Sequence, residues 1–406
     1  MTLDVICESL RNPAGMPSHP AIFLGLLVLT WAMHIIAVHV MLGSTVLSLF
    51  GSYRNQPYWR KLSQDLLFTA KVAVGIAVVL GVAPLLFVQT LYDQWYVSNL
   101  LSARWVLAFI VLLIAAYYGL YYRYYAVHHQ VKPDASRLVL LLSFVLLLCV
   151  GFIMHVLTSQ MLRPDSWMAW YAPQGQVDTR GAKLHDYNLW RYLYFIGLAI
   201  PVTGAWLMGD TAVQTRRTKS NADYANTGYL AWLHNLGERL IRYGGMVSVF
   251  FYVLWMITLP EASKDFAFSF GSFVGLAATI ALATLPYLIP REKLGVAAMP
   301  SAALAILLIA VARENLRIKT LFQSCHYDPL AYPVHFDGYS TLLFFLSLVF
   351  MFVPIVSYFI MLIWGVNQTQ GVYDATPRVR QMGRFSLIAL GVWIAHYFIF
   401  GAISLM

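Results

Sequence analysis

Residues 21–50, 66–90, 104–124, 138–162, 189–209, 243–259, 266–289, 296–312, 341–365 and 385–406 are ten apolar stretches in which no aspartate or glutamate occurs. About 20 apolar residues in a helix are needed to cross roughly 30 Å of hydrocarbon. In lipid every backbone N–H and C=O must find its partner inside the segment, which leaves helices as the spanning element for such long runs. The chain therefore reads as an all-α, polytopic integral membrane helix bundle of about ten transmembrane helices. Its composition, 60% hydrophobic and 11% charged, fits a membrane protein and excludes a soluble enzyme.

The net charge of +9 does not signal nucleic acid. Basic residues collect in alternate loops, from Arg54, Arg60 and Lys61 through Arg216 and Arg242 to Arg380 and Arg384. By the positive-inside rule those loops are cytoplasmic and both termini lie outside, as in a multi-pass protein of a bacterial inner membrane. The first apolar run is too long for a cleaved signal peptide, so it stays as a span. No connection carries an amphipathic core of its own, and the expectation is one membrane domain, 1–406. Cys7 and Cys325 both fall on the outer, oxidising side, where a disulfide between them is as reasonable as two free thiols.

Four histidines, His34, His39, His155 and His396, lie inside the acid-free spans. A polar side chain at bilayer depth costs free energy unless it is paired or bound, which makes each one a candidate for function. Imidazole without nearby carboxylate suits haem ligation better than proton pumping. His34 and His39 are five residues apart, about 140° around the helix and about 7.5 Å along it, so one small site does not easily take both. The competing reading is a hydrogen bond to a carbonyl of a neighbouring helix. Zinc is weaker still, because no cysteine or acid stands beside these histidines to complete a tetrahedral set.

Lys71 sits about two turns into the second span, where it either snorkels or pairs with a haem propionate. Gly43 and Gly51 would admit a flat macrocycle or simply a close helix. Tyr117, Tyr118, Tyr121, Tyr122, Tyr124 and Tyr125 read as interfacial anchors. Phe322-x-x-Cys325-His326 is a one-cysteine version of the covalent haem motif, and a haem c at Cys325 is a weaker reading than a disulfide or free thiol. The outer segments, with Trp167, Trp170, Tyr171, Tyr327 and Tyr332, suit either belt anchoring or docking of an extracytoplasmic partner.

Several of these motifs come in a familiar order. His34 with Thr30, Met33 and Gly43; Gly75, Gly81, Val82 and Ala83 followed by Trp95; Leu157 to Met161 with Pro164; and His185 with Gly204, Ala205 and Trp206 together resemble the first, second, fourth and fifth helices of the quinol-oxidising subunit of cytochrome bd oxidases. The resemblance covers about residues 20–210, with residues 211–406 as additional helices. It implies that His34 binds haem and that His185, just before the fifth span, ligates or hydrogen-bonds at a low-spin haem b. The family's membrane glutamates have no counterpart between Pro84 and Gln89 or between Arg104 and Ala115, nor is its quinol-binding loop found.

The reading that follows is a haem b-binding membrane subunit of a respiratory complex, part of a quinol/quinone oxidoreductase. It would carry two or three b haems and exchange electrons between the quinone pool and an outer-side partner such as a c-type cytochrome. His34, His39, His155, His185 and His396 are the candidate iron ligands, with Lys71 as a further cofactor contact. The alternatives are an oxygen-reducing bd-type subunit and a haem-free quinone-binding anchor. Lipid and other subunits of the complex are the expected partners, and nucleic acid is not.

Overall fold

The computed structural model describes residues 2–131, 133–220, 227–347, 349–350, 353–369 and 373–404. It is all-α: α1 (Leu3–Ser9), α2 (Pro20–Ser52), α3 (Pro57–Leu91), α4 (Gln94–Leu101), α5 (Ala103–His128), α6 (Pro133–Gln160), α7 (Trp167–Tyr171), α8 (Leu189–Gly197), α9 (Ala199–Ser220), α10 (Thr227–Ile257), α11 (Phe270–Leu288), α12 (Arg291–Cys325), α13 (Gly338–Ser347), α14 (Val353–Gln368) and α15 (Pro377–Ser404). Among the described residues eight helices are long and apolar enough to cross a membrane, and they coincide with the first eight expected spans. The ninth, 341–365, includes residues 348, 351 and 352, which lie outside the described residues, as do the last two residues of the tenth.

Two compact units emerge. The first comprises residues 1–14, 19–212 and 228–332; the second comprises 15–18, 213–227 and 333–406. In the first, α2 packs against α3, α6 and α12, and α5 pairs with α6 and α11 with α12. Proline at the first turn of α2 and α3 begins each helix where the missing N–H costs nothing. Gly43 and Gly51 resolve in favour of packing. The position a Cβ would take at Gly43 is filled by Thr203, and at Gly51 by the Trp59 carbonyl and Ser63. The Thr203 hydroxyl donates to the His39 carbonyl at 3.2 Å, fixing α9 against α2 beside that histidine.

Two helices overshoot the membrane. At 1.5 Å per residue the 35 residues of α3 and of α12 each extend about 52 Å, well beyond the hydrocarbon. The consequence for α12 is large: the helix continues past the apolar run 296–312 and buries Glu314 and Arg317, each only 3% exposed. The eighth span is therefore longer than hydropathy indicates, and it carries a buried acid.

Cys7 and Cys325 form a disulfide with their Cα atoms 6.4 Å apart, which pins α1 to the end of α12. That contact commits Cys325 to sulfur and takes its thiol away from a covalent haem. Around it Arg11 stands over the rings of Tyr327 and Tyr332, and the Tyr332 hydroxyl donates to Asp93. Trp167, Tyr327 and Tyr332 are buried, so these aromatics of the outer segments pack inward and do not present a docking face.

In the second unit α14 packs on α15, and the backbone of Met16 pairs with that of Val334. His396 lies on α15, with its Nε2 2.7 Å from the Tyr339 hydroxyl.

Candidate functional site

Within the first unit a cavity of about 390 Å³ opens beside α2. Val74, Val78, Val82, Leu85 and Val88 of α3, Phe109 and Leu113 of α5, and Leu147 and Val150 of α6 form an apolar wall. His34, His39, His155, Arg191, Arg313 and Arg317 supply its ionisable lining. An apolar pocket of several hundred Å³ with a few convergent polar groups is the usual form of a ligand site. Val78 and Val82 of this wall are exposed.

The three histidines use their rings differently. His34 Nδ1 lies 2.9 Å from the Ala77 carbonyl on α3, an arrangement that requires Nδ1 to carry the proton and leaves the Nε2 lone pair free. His39 reverses the nitrogens: Nε2 donates to the Phe195 carbonyl on α8 at 2.9 Å, and Nδ1 is buried with no partner. His155 accepts the Asn188 amide proton on Nε2 at 3.1 Å, so its lone pair is spent and Nδ1 is its donor. A ring nitrogen bonded to a carbonyl while the other points free is the arrangement that orients and tautomerises a metal-binding imidazole. His34 and His39 have it and His155 does not.

The backbone around these rings explains their positions. Gly81 passes so close to His34 that a Cβ there would stand 2.9 Å from Cε1 and 3.0 Å from Nδ1. Asn188 reaches His155 because its loop is anchored by Gln160. That fully buried side chain accepts the His185 amide at 2.8 Å and donates to Ser102, while the Gln160 backbone carbonyl accepts from the Trp167 indole.

The arginines were not among the residues singled out from sequence, and they form the polar end of the cavity. Arg313 lies over the Trp31 ring at 4.4 Å, Arg317 over Tyr92 at 5.0 Å and Arg191 over Trp255 at 5.9 Å. Glu314 is held by Arg317 Nη1, 3.1 and 3.0 Å from its two oxygens, and by the Tyr92 hydroxyl at 2.5 Å. Arg313 Nη1 is 3.5 Å from it. Arg191 donates to Ser159 at 3.1 Å, and its Nε has no partner. Two clues were present in the sequence: the Arg-Glu-x-x-Arg spacing of 313–317, which puts Glu314 and Arg317 on adjacent turns, and Arg191 three residues into an apolar helix.

The other expected site residues fall elsewhere. The Lys71 ammonium sits over the Tyr124 ring at 3.7 Å, with Phe68 and Tyr121 beside it, and is not part of the cavity lining. Exposed Tyr121 and half-buried Tyr124 beside it favour snorkelling. His185 stacks on Trp170, ring centres 5.1 Å apart, also outside the lining, and partial burial lowers its basicity. His396 belongs to the second unit. Among the described residues no group of three or more His, Cys, Asp or Glu could hold a bare metal ion; a haem needs only one or two axial imidazoles. No family model matches the chain, and no curated protein matches it in sequence.

Proposed function

We propose that this chain is a haem b-binding membrane subunit of a respiratory electron-transfer complex. It exchanges electrons between membrane quinone and an outer-side redox partner such as a c-type cytochrome, on a scaffold distantly like the quinol-oxidising subunit of bd oxidases. One observation carries the reading: two imidazoles on α2, each with one nitrogen bonded to a carbonyl of a neighbouring helix and the other unpartnered, border one apolar cavity. A buried neutral imidazole with a spare lone pair costs free energy unless something binds it.

The residues fit the group. His34 Nε2 and His39 Nδ1 are the nitrogens that would hold the iron, and His155 Nδ1 would be able to donate a hydrogen bond. Haem b, when bound, supplies one-electron exchange without a proton step. The chain fixes both tautomers, keeps water out with the α3, α5 and α6 side chains, and sets α3 between the cavity and the lipid from which a quinone would arrive. Gly81, Val82, Trp95 and Thr158, all from the stretches that resemble the bd subunit, line the same cavity as His34.

The purified protein should give a b-type reduced-minus-oxidised spectrum and at least one haem per chain by pyridine haemochrome. Absence of b-type absorption would falsify the proposal. Oxygen reduction is the second reading, and Glu314 favours it by placing a buried carboxylate beside the cavity. Against it, both Glu314 oxygens are already taken by Arg317 and Tyr92. Quinol-dependent oxygen uptake by the purified complex separates the two.

A further inference from the structure

The polar end of the cavity holds more positive charge than its own acids balance. Arg191 and Arg317 are 8% and 3% exposed, and the Arg313 side chain is 10% exposed, yet among the described residues the only carboxylate bonded to any of them is Glu314. Asp186, which pairs with Arg163 at 3.9 Å, acts on Arg191 only from beyond ion-pair distance. Three buried guanidiniums against one buried carboxylate leave an excess of two positive charges, and buried charges are retained where something compensates them. Each guanidinium is backed by an aromatic ring, and Arg191, which lines the cavity, has a buried Nε donor without a partner among the described residues.

Resting on the haem reading, the geometry points to a dianion-binding end: Arg191, Arg313 and Arg317 take the two carboxylates of the haem edge. Guanidinium forks match carboxylates with paired, charge-assisted hydrogen bonds. The arginines also define which way the ligand lies. Arg313 stands over Trp31, one turn from His34, while Arg317 is about two turns from the Cys7–Cys325 disulfide. The carboxylates therefore face the disulfide end, with His39 about 7.5 Å further from it than His34 along α2. Glu314 is a positioning residue that holds Arg317 at the cavity.

The full chain, produced without haem and purified in detergent, is titrated by absorbance with haem b and with haem b dimethyl ester. The ester keeps the macrocycle and the iron but carries no carboxylate charge. The ester should bind about tenfold weaker or more. In Arg313→Gln and Arg317→Gln proteins the free acid should fall toward the ester's affinity while the ester's affinity stays as in the parent. Equal affinity of acid and ester in the parent chain overturns this inference and leaves the haem reading standing, as does an acid-to-ester ratio unchanged by both substitutions. Binding of neither ligand overturns both.

Discussion

Replacing Gly81 by alanine adds one methyl group at the place where the backbone of α3 meets the His34 ring. Its Cβ would lie 2.9 Å from Cε1 and 3.0 Å from Nδ1, closer than carbon and nitrogen normally approach. The ring cannot simply slide, because Nδ1 is tied to the Ala77 carbonyl at 2.9 Å. Overpacking of this kind costs about 1–3 kcal/mol, and loss of the hydrogen bond about 1 kcal/mol. Alanine in place of glycine in a helix returns about 0.8–1 kcal/mol. The balance is a destabilisation of about 1–3 kcal/mol. Because the Ala77 bond orients the ring that offers Nε2, haem affinity should fall about 10–100-fold.

Gly75 supplies the control. It lies on the same helix, six residues earlier, and a Cβ there meets nothing within 4 Å. Gly75→Ala should leave the haem spectrum unchanged and stability equal or slightly higher. Thermal unfolding in detergent, followed together with the absorbance of the reduced haem, reads both quantities. Identical melting and identical spectra for Gly81→Ala and Gly75→Ala would refute the account of Gly81 as the seat of the His34 ring.

His34→Ala and His39→Ala should each abolish or shift a b-type band, whereas His155→Ala should change it less; a larger loss with His155→Ala would reverse the assignment of free lone pairs. With three cysteines and one disulfide, the denatured protein should react with one equivalent of maleimide before reduction and three after it; three before reduction would contradict the pairing. Lys71→Ala should leave haem content intact, since its ammonium contacts tyrosines. Burial raises the Asp93 carboxyl above its ordinary value, against the hydrogen bond from Tyr332. The native state then holds that proton more tightly than the unfolded chain. Its contribution is present below pH 3.8 and is lost as pH rises through the raised value. Relative to the parent, Asp93→Asn should therefore gain melting temperature between pH 4 and pH 7; a constant difference across that range would contradict the shift.

Eight spans were legible because apolar length alone decides them. The cavity was not, and α12 shows why. Hydropathy ends the span at Ala312, where Arg313 and Glu314 begin, yet the helix runs on to Cys325. A charge that closes an apolar window is read as the membrane boundary. Here neighbouring helices cover it instead, and the ion pair with Arg317 together with the hydrogen bond from Tyr92 satisfies the carboxylate. The apparent absence of acids in the spans was therefore a property of where the spans were taken to end. Lys71 shows the limit from the other side: depth in an apolar run left snorkelling and pairing with a propionate equally open, and the structure sets its ammonium over the Tyr124 ring.

The histidines show a different limit. His34, His39 and His155 have the same side chain in similarly apolar surroundings, and helix periodicity places the first two 140° apart, as if serving separate sites. What separates a candidate ligand from scaffold is which nitrogen is taken, and by what. A carbonyl partner draws the proton to one nitrogen and frees the other lone pair, as Ala77 of α3 and Phe195 of α8 do. An amide partner consumes the lone pair, as Asn188 does at His155. Those partners lie 43, 156 and 33 residues away in sequence. Periodicity on one helix carries no information about them. Because α3 and α8 approach α2 from different directions, two imidazoles that diverge around the helix can still border one cavity, and that convergence is a property of the bundle.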